Sequence, residues 1–426
     1  MARTGTTKVQ GLGVLRGTAL YVAAIVGPGI LTLPAIAAHN AGPASLLALA
    51  ALLLISVPIA FTFVAIERTS PGAGGVAAYV ARAFGETAGR IVGYWFYLGV
   101  PIGVPALGLI GGGYLADATG GDKATAVATA TAVVLVAIGA NLGHRAGSGR
   151  LTPVLTALLV ALVVVTAAVA LPHSDRTHLT PFAPRGWAAI GSAALVLTWV
   201  LTGWEAVSAF TGRLRDARRT LPRVTSWALI TVALLYAAVA VPEILVLGPF
   251  AGSSEAPVTD MLSVVAGQAT AAVAAALAVV IALNNAIAYV ASLRDLGSAL
   301  FQDSPTPGKA ASSRVLVWPS LIMLGGLAAA ALTSLGTEEL VAICVGSQIP
   351  VYVLGLAAGL RLLTRFSPSW WLALVSTTAV ATLLIPAGVH LLVPAAIAVG
   401  VLVRQGRHGR PTGSPPLPDP VKGITA

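Results

Sequence analysis

Charge is the scarcest property of this 426-residue chain. Asp, Glu, Lys and Arg make up 9% of it, against about 25% in soluble domains, which excludes an ordinary water-soluble enzyme. One cysteine is present, Cys344, inside an apolar run, so neither an intrachain disulfide framework nor a cysteine-based metal site can be built. The six histidines are scattered and peripheral. With no H-x-x-x-H and no Ser/His pair inside an apolar run, a membrane enzyme has no constellation to work with. A repeated polar ring of the filter type and a large ligand domain are missing too, which argues against a channel or a receptor.

Apolar residues fill the space: 57% of the chain is hydrophobic and the mean hydropathy is +0.88. Runs of about 20 residues recur from end to end, the length that crosses a bilayer. Reading them between polar breaks predicts about twelve helical spans at 12–38, 42–66, 88–116, 124–142, 150–171, 187–212, 224–247, 266–293, 315–335, 338–362, 369–385 and 388–404. The last two share a short stretch in which Pro386, Gly388 and His390 mark a turn, and one long re-entrant segment is the alternative there. The small-residue run Ala35-Ile36-Ala37 raises the question of a cleaved signal peptide, but the apolar stretch is long and begins a series, so it is read as span 1. The expectation is an all-α polytopic membrane protein: one transmembrane domain over 1–404, comprising a first repeat (12–171), a second repeat (187–362) and two extra helices (369–404), then a Pro/Gly-rich disordered tail over 405–426.

The formal charge of +10 reports topology rather than a nucleic-acid partner. Alternate loops beginning with Arg3, Lys8 and Arg16 collect 22 of the 25 basic residues, and the opposite loops hold only Lys123, Arg176 and Arg185. By the positive-inside rule both termini are expected in the cytoplasm, the protein being multi-pass in a bacterial plasma (inner) membrane. Between spans 2 and 3, P-G-A-G-G (71–75) leads into V-A-A-Y-V-A-R-A-F, a pattern that suits a short helix lying on the cytoplasmic surface.

Two spans carry a break. In A-A-I-V-G-P-G-I-L-T-L-P, Gly27, Pro28 and Gly29 fall near mid-membrane, where Pro28 lacks an N–H and the glycines tolerate unwinding. Irregular backbone at that depth is tolerated only where it is buried in protein or lines a cavity. A half-helix starting near Gly29 would aim N–H groups at a carboxylate, and the carbonyls of residues 24–26 would face a cation, the two ends of a zwitterionic amino acid. A simple proline kink is the alternative. The sixth span reads L-T-W-V-L-T-G-W-E-A-V-S-A-F, with Gly203 beside Glu205, the only carboxylate placed well inside a span; Glu243 is placed at the outer end of span 7. An ionisable group at that depth costs about 2.5–3.5 kcal/mol and reads as functional by default, the alternative being a carboxyl that holds freed backbone N–H groups. Breaks in spans 1 and 6 occupy matching positions in two five-helix halves of opposite orientation, the pattern of an inverted-repeat transporter.

These residues resemble the amino acid, polyamine and organocation (APC) transporter superfamily, with its LeuT-type five-plus-five inverted repeat. G-P-G-I-L-T-L-P (27–34) resembles the family's G-[ST]-G-[IV] opening, P-G-A-G-G-V-A-A-Y (71–79) its S-A-G-G loop, T-G-W-E (202–205) its G-x-E, and D-A-R-R-T-L-P-R (216–223) its N-P-x-R-x-x-P-R. G-x-x-x-x-P-A-I-A-A-x-x-A-G (29–42) around span 1, Pro101 to Pro105 in span 3 and a terminal G-I-T-A are similar to bacterial exporters of L-methionine and branched-chain amino acids. The resemblance implies a substrate site built from Ile25, Gly27, Pro28, Gly29 and Ile30 on span 1, from Trp199, Thr202, Gly203 and Trp204 on span 6, and from Asn284 and Asn285 on span 8. For the asparagines, interhelical hydrogen bonding is the competing reading. Glu205 is expected to couple transport to protons. Two departures stand out: Pro28 replaces Ser or Thr, leaving Gly29 and Ile30 N–H as carboxylate donors, and span 5 lacks the Lys that several relatives place there in lieu of sodium.

The expectation is therefore a secondary active transporter of neutral apolar amino acids, an exporter working by alternating access. An importer or exchanger of other amino acids is the alternative. No cofactor or metal is expected; a proton gradient is the expected driving force, with sodium the alternative, and the partners are a small amino acid and membrane lipid.

Overall fold

A computed structural model describes residues 11–69, 75–142, 151–266, 269–301 and 313–407. Most of the P-G-A-G-G loop (71–74), the basic residues Arg145, Arg150 and Lys309, and the tail from 408 onward lie outside the described residues.

All regular structure among the described residues is helical; an isolated parallel bridge joins Leu12 to Leu214. In chain order the α-helices are α1 Val14–Ile25, α2 Leu33–Ala41, α3 Ser45–Thr69, α4 Val76–Phe84, α5 Glu86–Thr119, α6 Lys123–Leu142, α7 Leu151–Ala170, α8 Ala189–Leu197, α9 Val207–Phe210, α10 Ala217–Pro242, α11 Pro257–Ala266, α12 Ala269–Leu300, α13 Val317–Leu332, α14 Thr337–Leu362, α15 Pro368–Thr382, α16 Leu384–Ala387 and α17 Leu392–Arg407. Ten stretches among the described residues are long and apolar enough to cross a membrane. The protein is thus a multi-pass membrane protein. The sequence reading counts the same helices differently. It joins α2 to α1 across Gly27, whereas the 37-residue stretch Leu33–Thr69 joins α2 to α3, and it separates α15 from α17, which share the 38-residue stretch Pro368–Gln405. Within that last stretch the backbone turns at Gly388, whose φ of +44° suits a residue without a Cβ.

α5 is the enclosed centre, with α6, α12 and α14 packed around it. Small residues make this possible: a Cβ on Gly112 would overlap the Ala126 carbonyl oxygen, so α5 and α6 meet backbone to backbone. Close approach of this kind drives helix association where lipid offers no hydrophobic force. α7 and α15–α17 sit at the periphery and expose Leu158, Val164, Val165, Ile385 and Leu392, an apolar surface that fits acyl chains. α4 lays Val76, Tyr79 and Val80 inward, the i, i+3, i+4 face of its short amphipathic pattern, against α5 and α14.

Candidate functional site

The helix of α1 stops where the sequence removes its support. Val26 still donates to the Val22 carbonyl at 2.7 Å, but Val26 and Gly27 are extended (φ −89°, ψ 106° and φ −114°, ψ −170°), and Pro28–Leu31 forms a single 3-10 turn before α2 begins. Pro28 cannot donate, which is why the ladder cannot cross this point. The Ile30 N–H is taken by the Gly27 carbonyl at 3.3 Å, while among the described residues no backbone acceptor is found for the Gly29 N–H. Of the two donors expected to meet a carboxylate, Gly29 is the one whose backbone bond is not made.

A second interruption follows α8. Thr198–Leu201 tightens into a 3-10 turn, Thr202 is extended, and Gly203 takes φ +105°, a region that L side chains rarely adopt. The chain resumes through a 3-10 turn at Trp204–Ala206 into α9. Glu205 reaches back over this break: its Oε2 accepts the Gly203 N–H at 2.9 Å and the hydroxyl of Tyr352 from α14. The same Gly203 N–H also points to the Tyr352 oxygen at 3.1 Å. The carboxyl is half-buried and caps the break, so its hydrogen bonds fit both a structural and a proton-carrying role.

The two breaks touch. A Cβ on Gly203 would stand 2.9 Å from the Ala24 carbonyl oxygen and 3.1 Å from the Ile25 Cα. One turn earlier, Tyr21 donates to the Trp204 carbonyl at 2.6 Å, with the rings edge to face at 5.4 Å. Beside this contact lies a cavity of about 10 Å³, room for about one water molecule. Its span 1 wall is Ala24, Ile25, Gly27, Pro28 and Gly29. The facing wall is Trp199 with Leu107 of α5, Tyr236 of α10, and Asn285 and Tyr289 of α12. None of these ten side chains is acidic or basic. A second small cavity is bounded by Thr198, Leu201 and Thr202 with Gln348 and Tyr352 of α14.

The residues singled out from the sequence divide accordingly. Ile25, Gly27, Pro28, Gly29, Trp199 and Asn285 meet at the first cavity, where the Asn285 Oδ1 would be 3.2 Å from a Gly27 Cβ. Thr202 lines the second cavity, and its hydroxyl is spent on the Trp199 carbonyl at 2.7 Å. Gly203 and Trp204 form the contact between the breaks, Glu205 caps the second break, and Ile30 is buried in the core within the 3-10 turn. Asn284 turns away to accept from Thr152 of α7 at 3.3 Å, an interhelical bond.

Sequence reasoning missed the tyrosines. Tyr21, Tyr236, Tyr289 and Tyr352 sit in apolar helices, and the available signal was their hydroxyl, which in hydrocarbon needs a partner. It also ranked Glu205 as the one carboxylate well inside a span. Glu67 and Glu243 are both fully buried, Glu67 accepting from the Tyr79 hydroxyl. Position along a span misjudged them because tertiary packing, not distance from the helix end, sets burial.

Residues 12–400 match the amino acid permease family. The chain is similar to the uncharacterized amino acid permease YecA of Bacillus subtilis, 31% identical over 90% of this chain and 92% of the relative. It is 27% identical to the L-methionine/branched-chain amino acid exporter YjeH of Escherichia coli over 53% of this chain and 54% of the relative. With the branched-chain amino acid permease BcaP of Bacillus subtilis it shares 24% identity over 54% of this chain and 53% of the relative.

Proposed function

The chain belongs to the amino acid permease family, a branch of the APC superfamily, and from that membership we propose that it is a secondary active transporter of neutral apolar amino acids, exporting L-methionine and branched-chain amino acids by alternating access. The observation that carries this reading is the cavity at the span 1 break. It offers the Gly29 N–H for a carboxylate, Asn285 and tyrosine hydroxyls as polar neighbours, and apolar or aromatic walls with no counter-charge for an ionised side chain. Cationic and anionic substrates would have to shed water there without a partner. A relative named for L-methionine and branched-chain export supports the substrate class.

In this reading α1 and α2 are two halves of one interrupted span, α8 and α9 the halves of its inverted counterpart, and the chain makes twelve spans with both termini in the cytoplasm. The cavity is too small for any amino acid, so loading requires the walls to part. Trp199, which lines the cavity and also packs where a Gly103 Cβ would stand, is the side chain whose swing makes room. Glu205 supplies proton coupling: it bridges the span 6 break and Tyr352, so gaining or losing a proton changes the hydrogen bonds that hold the break.

Purified protein in liposomes tests this. Labelled L-methionine should exchange against internal methionine, leucine, isoleucine or valine, and arginine and glutamate should not compete. Accumulation should follow an imposed pH gradient rather than a sodium gradient, and Glu205→Gln should keep exchange and lose pH-driven accumulation. Equal competition by arginine sinks the apolar-pocket argument, and unchanged pH-driven accumulation by a well-folded Glu205→Gln protein sinks the coupling assignment.

A further inference from the structure

We propose that Glu243 is a second proton-binding site, loaded from the outer face, and that closure of the outer half of the protein takes up its proton; this rests on the transport reading above. Glu243 opens a π-helical turn, Glu243–Leu247, at the end of α10. Such turns are rare and recur at functional sites. Its side chain is fully buried, and neither carboxyl oxygen has a hydrogen-bond partner among the described residues. A carboxylate placed so would have lost its water and gained nothing in exchange, a far larger cost than for the neutral acid. The closed packing therefore requires the protonated form.

Its position ties that proton to transport. Tyr236, a wall of the substrate cavity, lies seven residues earlier on the same helix, so Glu243 stands on the same face two turns, about 11 Å, further out. Val239 and Ala240 between them are buried as well, so this face runs through packed protein from the cavity to the carboxyl. On the facing side Tyr114 of α5 donates to the Leu31 carbonyl at 2.9 Å and accepts from Val258 N–H at 3.3 Å. That hydroxyl joins the span 1 break to α11, which packs against the π turn that carries Glu243. The outer closure and the unpartnered carboxyl thus share one neighbourhood. When the outer half opens, water reaches the carboxyl and it can ionise.

The other titratable groups on the elements packed around the π turn do not replace it. Asp260 of α11 is half-buried, and His39, His173, Asp175 and Arg176 are exposed, Asp175 meeting the π turn only through its backbone N–H to the Leu245 carbonyl at 2.8 Å. His178 bonds the Leu245 carbonyl through Nδ1 at 2.9 Å, and none of them bonds to a Glu243 oxygen.

The test reads opening directly. Ala240→Cys, in a Cys344→Ser background, is probed in intact cells with a membrane-impermeant maleimide as a function of outer pH. If one proton is bound on closure, labelling falls about tenfold per pH unit below the midpoint. Glu243→Gln should label slowly at every pH, and Glu243→Asp, which keeps a carboxyl, should label with a shifted midpoint. His178→Gln should leave the response intact. Glu205→Gln should keep the labelling response while losing pH-driven accumulation, which separates failure of this proposal from failure of the coupling assignment. A Glu243→Gln protein that responds like its parent overturns the proposal. So does a parent that shows no pH response, which needs no variant to fold, and so does a Glu243→Asp midpoint that does not move.

Discussion

Gly203→Ala is the sharpest test of the contact between the two breaks. The added Cβ meets two penalties. A residue other than glycine at φ +105° costs about 1–3 kcal/mol. The methyl would also lie 2.9 Å from the Ala24 carbonyl oxygen and 3.1 Å from the Ile25 Cα, backbone atoms that cannot swing aside, and overpacking of this kind costs about another 1–3 kcal/mol. Together they come to at least about 2 kcal/mol, a factor of roughly 30 in any equilibrium that forms the contact. The control is Gly139→Ala in α6, where an added Cβ meets nothing within 4 Å and helix propensity improves by about 0.5–1 kcal/mol. Both proteins are melted in detergent by fluorescence-detected size exclusion and assayed for methionine exchange in liposomes. Gly203→Ala should melt earlier and exchange at least tenfold more slowly, and Gly139→Ala should match or exceed the parent. If Gly203→Ala melts and exchanges like the parent, the breaks are not held in the contact described, and the argument from their touching fails.

Tyr352→Phe removes the hydroxyl shared by Glu205 and the Gly203 N–H, at a cost of about 1–3 kcal/mol; exchange should slow at least fivefold, and a full-rate variant would show that Glu205 caps the break alone. Asn285→Ala should weaken half-saturation by methionine, because Asn285 faces the cavity, whereas Asn284→Ala should lower the melting temperature slightly through loss of an interhelical bond of about 0.6 kcal/mol, with half-saturation unchanged. The reverse pattern would exchange their roles. For topology, Ser253→Cys and Thr364→Cys, both at exposed positions, are labelled in a Cys344→Ser background. An impermeant reagent should reach the first and not the second in intact cells, and the opposite result inverts the protein in the membrane.

The places where the chain departs from a helix were legible because glycine and proline announce them chemically. Pro28 removes a donor and Gly203 admits a positive φ, and both effects are local. What faces the cavity was legible only in part. Asn284 and Asn285 differ by one residue, which on a helix is a rotation of about 100°, and apolarity on all sides of α12 gave no stripe from which to choose. Tyr352 comes from α14, far along the chain, and nothing in its neighbourhood hints that its hydroxyl meets Glu205. Glu243 is the clearest instance. Counted along α10 it belongs to the outer end, yet the loop at 171–180 and α11 close over it.

The joining of the breaks has a mechanical consequence. An unbroken pair of helices could separate only by moving as whole rods, carrying both membrane faces with them. Here the helical path is interrupted after α1 and again after α8, and the interrupted ends meet at Gly203, Ala24 and Ile25, with the Tyr21 to Trp204 bond alongside. α2, which begins beyond the 3-10 turn, is held at its start by Tyr114 through Leu31, whereas α1 is held by Tyr21 against Trp204. α2 and α1 therefore answer to different partners, one on α5 and α11, the other on the segment that carries Glu205. Releasing the first set need not release the second. On the proposed transport reading, that independence is what alternating access asks of a site between two gates: a ligand at Gly29 could lose one wall while the contact at Gly203 keeps the other closed.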